Sequence, residues 1–548
     1  MTSLINPIDH HIKLRYAYFV QNAKVNYMPH QENGVIWCAQ RETVKLENQS
    51  IHGGIIADEM GCGKTLMTIG LITCHFVPKT LIVVPQALIQ QWYVAIFKAT
   101  GHKPLLYYGH RIKSAVKHLS NAPIVITTYG VISHRNATTQ SPMFSTTWDR
   151  IIYDEAHHMR NSNTNRFVAG HALRSNIKWL ITGTPLQNDM KDLYNLSNII
   201  GIHDKTTDLS DYMLRRTKES VGIYLPAIHH NIVKCEWSNH HETKLASILH
   251  PTTSNTTTKK KLKHLSSKAD SKSDSDIHHY TVDTMCDDDL VKEEEDINVT
   301  NPSDCCLVAE GKDSGDESPS SVATTHDTMS GYEIESEVDK KLRNFVLRTL
   351  GYDVIVYFVR ARQMCTCPKL LSVLRKNINK CDLHDITPLQ VALTGMSKIN
   401  QVVAKLESRQ HNGNCKIVFC HFREEMDIIK QKLSLSGMKD VVIYDGRLTR
   451  KQRTRVIESK PSILILQTQM GCEGLNLQYA NEVYMVGPVW NPATEDQAIA
   501  RCYRLGQKKE THVFRFTMTS ADGTLPSMDT YMNSVIDNKR MLQQEVGL

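Results

Sequence analysis

No stretch of the sequence approaches the roughly 18 to 20 unbroken apolar residues that a membrane span requires. The opening MTSLINPIDHHIK also lacks the charged-then-apolar layout of a signal peptide. These absences predict a soluble, intracellular protein with no membrane contact. Cysteine is sparse, 14 in 548 residues, too few for a disulfide scaffold, so reduced thiols serving mainly as core filler are expected. No CxxC pair occurs: Cys365 and Cys367 are one residue apart and Cys305 and Cys306 are adjacent. A RING, treble-clef or ribbon site therefore has no ligand framework, and no zinc is expected. Nor is the composition biased, since 41% hydrophobic and 22% charged residues exclude fibrous, collagen-like and wholly disordered chains. At about 100 to 200 residues per domain the length allows two to four domains.

Acidic residues are present but unevenly placed. Residues 283–339 carry eighteen acidic and two basic side chains, net −16, so the remaining 491 residues total +23 against a net charge of +7 for the whole. Such an excess makes a polyanion a plausible partner. The stretch from Pro251 to Asp339, rich in Ser, Thr, Asp and Lys, has no sustained apolar period and cannot bury enough surface to offset its ordering entropy. It is expected to be a disordered insert. Its basic start (Lys259, Lys260, Lys261, Lys263) reads either as a nuclear-import signal or as a solvated linker. On either side, short β-branched runs alternate with segments of helical spacing: GGIIAD (53–58), TLIVVP (80–85), PIVITTY (123–129), RIIYDE (150–155) and WLITGT (179–184), then KIVFCHF (416–422), DVVIYDG (440–446), SILILQ (462–467), EVYMVG (482–487) and HVFRFT (512–517). This rhythm predicts an α/β fold with two parallel-sheet lobes, each covered on both faces.

Three motifs carry chemistry. The first, Ala57-Asp58-Glu59-Met60-Gly61-Cys62-Gly63-Lys64-Thr65, follows a predicted strand and precedes a helical run, where a phosphate-binding loop belongs. Gly61 and Gly63 let backbone N–H groups approach phosphate, Lys64 supplies a point charge for the β/γ-phosphates of ATP, and the Thr65 hydroxyl is a Mg²⁺ ligand. Asp58 stands where the strict pattern has its first Gly. Cys62, near a helix N-terminus, reads as a thiol of lowered pKa that makes ATP binding oxidation-sensitive, or simply as a spacer. In the second motif, Asp154-Glu155-Ala156-His157, the carboxylates emerge at the carboxyl edge of the sheet. There Asp154 can hold Mg²⁺ and Glu155 can orient and deprotonate the attacking water. The third motif carries Arg501 and Arg504, three apart and hence expected on one face of a helix, as cations for transition-state charge. Taken singly, two such arginines also read as surface charges.

The ordered set resembles the SNF2-type, superfamily 2 DNA-dependent ATPases over residues 25–235 and 340–545. MPHQENGVIW resembles the adenine-side motif with Gln31, ADEMGCGKT and DEAHHMRN match motifs I and II, and VVPQALIQQW, VITTYG and LITGTPLQN match Ia, Ib and III. MLRRTKESVGIYLP resembles a signature of this family absent from RNA helicases. KIVFCHF, GCEGLNLQ and WNPATEDQAIARCYRLGQ match motifs IV, V and VI. WNPATEDQA and TGTPLQN are most similar to the helicase-like transcription factor branch, and the two-lobed layout also resembles the global transactivators of baculoviruses.

The resemblance implies two RecA-like lobes with helical protrusions and a disordered acidic insert between them. An amino-terminal ATP-binding lobe with the start of a protrusion occupies 1–225, the rest of the protrusion and the insert 226–340, and a carboxy-terminal lobe 341–548. It implies nucleotide contacts from Gln31, from Asp58 through Thr65, and from Gly474, with Lys64, Glu155, Arg501 and Arg504 catalytic and Thr65 and Asp154 on Mg²⁺. Double-stranded DNA would be held by its backbone through Thr127, Thr128, Tyr129, Thr468 and Asn476. Gln469 and Cys472 replace a basic and a small residue, Glu473 is acidic near the presumed DNA path, and Ala500 and Tyr503 replace the commoner Asp and His. These departures leave the ATPase residues intact and put the coupling to DNA in question. The expectation is a DNA-stimulated ATPase and duplex translocase in transcription regulation, nuclear (in the host nucleus if viral), with the acidic insert meeting transcription or chromatin proteins. The alternatives are a scaffold-like co-regulator and an RNA-dependent helicase.

Overall fold

The computed structural model describes residues 7–43, 52–134, 141–186, 190–204, 206–249, 336–350, 354–381, 383–472, 475–521 and 526–545. In the first lobe seven strands form one sheet: β1 (His52–Ile56), β2 (Thr80–Val84), β3 (Leu105–Leu106), β4 (Ile124–Thr128), β5 (Trp148–Asp154), β6 (Ser175–Ile181) and β7 (Met213–Leu214), in the order β3-β4-β2-β5-β6-β1-β7. Every pairing is parallel. Successive side chains of a strand point to opposite faces, and here both faces are apolar. Leu81, Val83, Val125, Ile151, Tyr153 and Leu180 enter one core; Ile82, Val84, Ile126, Ile152, Trp179 and Ile181 enter the other. That double burial explains why these strands read as continuous apolar runs rather than alternating ones.

The second sheet contains β8 (Ile228–Cys235), β9 (Lys416–Cys420), β10 (Val441–Tyr444), β11 (Ile463–Gln467), β12 (Glu482–Met485) and β13 (Thr511–Met518), in the order β10-β11-β9-β12-β13-β8. All ten sequence-predicted strands are present. Residues 228–235, expected to belong to a protrusion, instead add the edge strand β8. The Thr511 N–H donates to the Ala227 carbonyl at 2.9 Å, and HHNIVKC gives too weak an apolar signal for a half-covered edge to be read from sequence.

Both sheets lie in one compact unit, Met1–Lys234 with Ile399–Thr517 and Tyr531–Leu548. The other unit, Cys235–Lys398 with Met518–Thr530, is mainly helical and takes in residues 341–398, which were expected in the carboxy-terminal lobe, because their helices pack on His240–Leu249. It is built on the helices His240–Leu249, Glu337–Leu350, Val354–Thr366 and Thr387–Leu393. Within it the buried Lys398 ammonium pairs with Asp529. Most of the expected insert, 251–335, lies outside the described residues. Its last residues begin the helix Glu337–Leu350, whose first turn carries Glu337 and Asp339, favourably placed against the helix dipole, while Leu342, Val346 and Leu350 form a buried i, i+4, i+8 stripe. No described helix is long and apolar enough to cross a membrane.

Candidate active site

Between β1 and the helix Lys64–Cys74, residues Ala57 to Gly63 form an open loop. Gly61 and Gly63 have φ of 98° and 85°, in the left-handed region, and a Cβ on Gly63 would lie 2.2 Å from Gln31 Nε2. Only glycine fits both the conformation and the space. The helix starts at Gly63 with no side-chain cap, so its first N–H groups face the loop, the arrangement that receives phosphate. Lys64 Nζ donates to the carbonyls of Asp58 at 2.7 Å and Glu59 at 3.4 Å, and burial pulls its ammonium pKa down. Gln31 Nε2 donates to the Cys62 carbonyl at 3.3 Å, and His30 Nε2 lies 2.9 Å from the same oxygen. Thr65 is half-buried in the first helical turn. Met60 packs at Gly183, where an added Cβ would also lie 3.3 Å from Lys64 Nζ, so the TGTPLQN stretch borders the loop. The Cys62 thiol corrects the expectation of a lowered pKa: burial, then the Asp58 charge, pushes it up.

Asp154 closes β5, and Glu155 follows it with φ 51°. Because all seven strands are parallel, this turn and the phosphate loop share one sheet edge. Asp154 Oδ2 accepts from Trp92 Nε1 at 2.6 Å and Oδ1 from the Glu155 N–H at 3.1 Å, while its carbonyl accepts from the Tyr129 hydroxyl at 2.8 Å. Burial and the adjacent Glu155 charge raise the Asp154 pKa to about 7. Burial acts upward on Glu155 too, but His157, with Nδ1 3.4 Å away, then Arg501 and Lys64, outweigh it and hold Glu155 at about 2. The two neighbours are thus driven apart, and Glu155 is the fixed anion.

Arg501 and Arg504 correct the helical expectation. The helix Pro492–Ile499 stops before them, and both sit in the turn that follows. The Arg501 carbonyl accepts from the Leu477 N–H at 3.1 Å, and the Gln507 carboxamide reaches the carbonyls of Gln478, Ala480 and Cys502 at 3.0 to 3.3 Å. The backbone there closes short turns instead of a helical ladder, with the Arg501 N–H donating to the Ala498 carbonyl at 3.2 Å and the Cys502 N–H to the Ile499 carbonyl at 3.0 Å. The turn nevertheless brings the arginines to the first lobe's loop. Arg501 depresses the Glu155 pKa, and the Arg504 Cβ lies 4.0 Å from the Cβ position of Gly61.

The residues expected on DNA fare differently. Thr127 is fully buried and donates to the Tyr107 carbonyl at 2.8 Å. The Thr128 hydroxyl accepts from the Val131 N–H as a helix cap, Tyr129 is buried on Asp154, and the buried Thr468 hydroxyl donates to the Cys420 carbonyl at 3.0 Å. All four side chains make hydrogen bonds within their own lobes. Asn476 is exposed. Gly474 and Glu473 lie outside the described residues.

Sequence reasoning missed a layer behind the loop. Arg216 pairs with Asp58 through two bonds, Nε–Oδ1 3.0 Å and Nη2–Oδ2 2.5 Å, and its Nη1 donates to the His30 carbonyl at 2.5 Å. Arg215 Nη1 donates to the carbonyls of Ala57 at 2.7 Å and Gly183 at 3.1 Å. Lys218 pairs with Glu59 and donates its backbone N–H to the same carboxylate at 2.7 Å. The LRRTK string was visible as a signature, but its target was not.

Residues 30–208 match the SNF2-related domain and residues 397–506 the helicase conserved C-terminal domain, between them just over half of the chain. The chain is 26% identical to the DNA repair protein RAD5B of Arabidopsis thaliana over 85% of this chain and 44% of that protein. It is also 26% identical to the DNA repair protein RAD5 of Candida albicans, over 91% of this chain and 56% of that protein. The chain spans about half the length of the curated relatives it matches. Among solved structures, the Pyrococcus furiosus Hef helicase domain aligns over 92% of this chain and 96% of its own at 13% identity, with a TM-score of 0.49.

Proposed function

We propose that this chain, in which an SNF2-related domain precedes a helicase conserved C-terminal domain, is a DNA-dependent ATPase that couples hydrolysis to translocation on duplex DNA and so remodels protein–DNA contacts. One observation carries the reading: the Lys64 loop and the Asp154-Glu155 turn of one lobe meet the Arg501–Arg504 turn of the other, with Arg501 near enough to hold down the Glu155 pKa.

In this reading the N–H groups around Gly61 and Gly63 and the Lys64 ammonium bind the triphosphate, and Lys64 exchanges its carbonyl partners for phosphate oxygens. The Thr65 hydroxyl and the Asp154 carboxylate suit Mg²⁺, which takes few protein oxygens and leaves its other positions to phosphate and water. When bound, the ion neutralises charge on the β- and γ-phosphates. Glu155, anionic at neutral pH, orients the attacking water and accepts its proton. Arg501 and Arg504 stabilise the charge that develops on the transferred phosphoryl group. Since they come from the other lobe, turnover is tied to lobe motion. Gln31 contacts the nucleotide from beside the loop.

Duplex DNA is bound through its backbone by the positive lobes rather than by base reading. The matched relatives are named DNA repair proteins, which favours work in repair over transcription control, in the nucleus. In that setting the acidic insert meets chromatin proteins. The test is the ATPase rate without nucleic acid, with duplex DNA and with RNA, for wild type and Lys64→Ala. Duplex stimulation lost in the variant supports the proposal; preferential RNA stimulation, or no turnover anywhere, overturns it.

A further inference from the structure

Two features of this sequence stand 158 to 159 residues apart and meet in the structure: the acidic pair at the head of the phosphate loop, Asp58, where glycine is the strict choice, with Glu59, and the LRRTK segment. We propose that Arg216 and Lys218 are positioning residues that set the shape of the phosphate loop through Asp58 and Glu59. The proposal rests on the nucleotide-binding reading of that loop.

The match runs residue by residue. β7 pairs with β1, and the ladder continues past both strand ends, with the Ala57 N–H donating to the Leu214 carbonyl and the Glu59 N–H to the Arg216 carbonyl, each at 2.8 Å. Side chains then lock what the backbone aligns. Asp58 is 1% exposed, and both of its oxygens are taken by the planar Arg216 guanidinium, whose fork matches a carboxylate as a lysine cannot. The third guanidinium bond, to the His30 carbonyl, ties in the helix that carries Gln31. Lys218 holds Glu59, and its Cε lies 3.2 Å from the Cβ position of Gly61.

The consequence for chemistry is indirect. Lys64 is oriented by the carbonyls of Asp58 and Glu59, the two residues whose side chains are clamped. If the clamp is loosened, those carbonyls and the N–H groups after them lose their fixed aim, which affects nucleotide binding before the chemical step. Lys218 also stands 5.5 Å over the Tyr503 ring, in the turn that carries Arg501 and Arg504. The clamp therefore touches both contributors to the site.

The experiment measures equilibrium binding of a fluorescent ATP analogue, ATP KM and kcat, and thermal unfolding for the full chain. The variants are Arg216→Met, Asp58→Asn, their double, and the milder Lys218→Ala, whose pair is partly exposed. The expected result is binding weakened about tenfold or more in Arg216→Met and Asp58→Asn, with KM raised and saturated kcat within about threefold of wild type. The double variant should lose less than the product of the singles, because it leaves no buried charge facing an empty position. Lys218→Ala should show the same KM-selective effect at smaller size with an unchanged melting temperature. Variants that lose thermal stability yet bind the analogue as wild type does overturn the positioning role alone. A wild type that binds no nucleotide overturns the nucleotide reading and this proposal with it.

Discussion

At the scale of single residues, the two carboxylates at the end of β5 divide their work by environment. Asp154 is buried beside its neighbour's charge, which keeps a proton near against the opposing Trp92 bond; Glu155 faces His157, Arg501 and Lys64, which expel one. Glu155→Gln should therefore bind ATP about as well as wild type and lose about 10²- to 10⁴-fold in kcat, the usual worth of a positioned base; parallel analogue binding and steady-state turnover check this. The buried threonines lead to a different expectation. Thr127→Val removes a bond to the Tyr107 carbonyl, so it should cost about 1 kcal/mol in urea unfolding and leave the salt dependence of DNA binding unchanged. A shallower slope of log K against log salt would return Thr127 to the DNA interface.

At the scale of elements, the first lobe is pinned by a buried polar knot. Glu42, at the end of the helix Pro29–Thr43, binds Arg150 of β5, His75 after the helix Lys64–Cys74, and Trp179 of β6 at 2.8 Å. Burial would raise the Glu42 pKa, but Arg150, His75 and Trp179 outweigh it, and the net shift is downward. A depressed carboxylate gives stability that is complete above its unfolded value, about 4.3, and is lost as pH falls through the folded value. Acid unfolding followed by circular dichroism should show this loss, and Glu42→Gln should abolish that acid-dependent part. Glu42→Ala should cost about 3 to 5 kcal/mol, because it strands a buried guanidinium.

The elements also mark what the sequence makes legible. Strands buried on both faces announce themselves as runs such as TLIVV and ILILQ, and a glycine-rich loop between strand and helix can be recognised locally. By contrast β8, half covered at a sheet edge, offers only HHNIVKC, and the Arg501–Arg504 turn looks helical until the Gln507 and Leu477 bonds are known. The partners of Asp58, Glu59 and Asp154 lie 62 to 159 residues away in sequence. No local period encodes such pairings, so Trp92, Arg216 and Lys218 emerge only from the folded chain.

At the scale of the molecule, the lobes carry the positive charge and the tract 283–339 the negative. Affinity for duplex DNA should fall steeply between about 50 and 200 mM salt, and deleting 283–335 should strengthen binding at low salt; an unchanged affinity would mean that the tract does not compete with DNA for the lobes. The proposed function requires that two lobes complete one nucleotide site. Single-turnover hydrolysis by Arg501→Ala, at saturating ATP and duplex DNA, tests it most directly. The rate should be lower by about 10³- to 10⁵-fold, the range for an arginine acting on the transition state, with ATP still bound. Hydrolysis at the wild-type rate would contradict it.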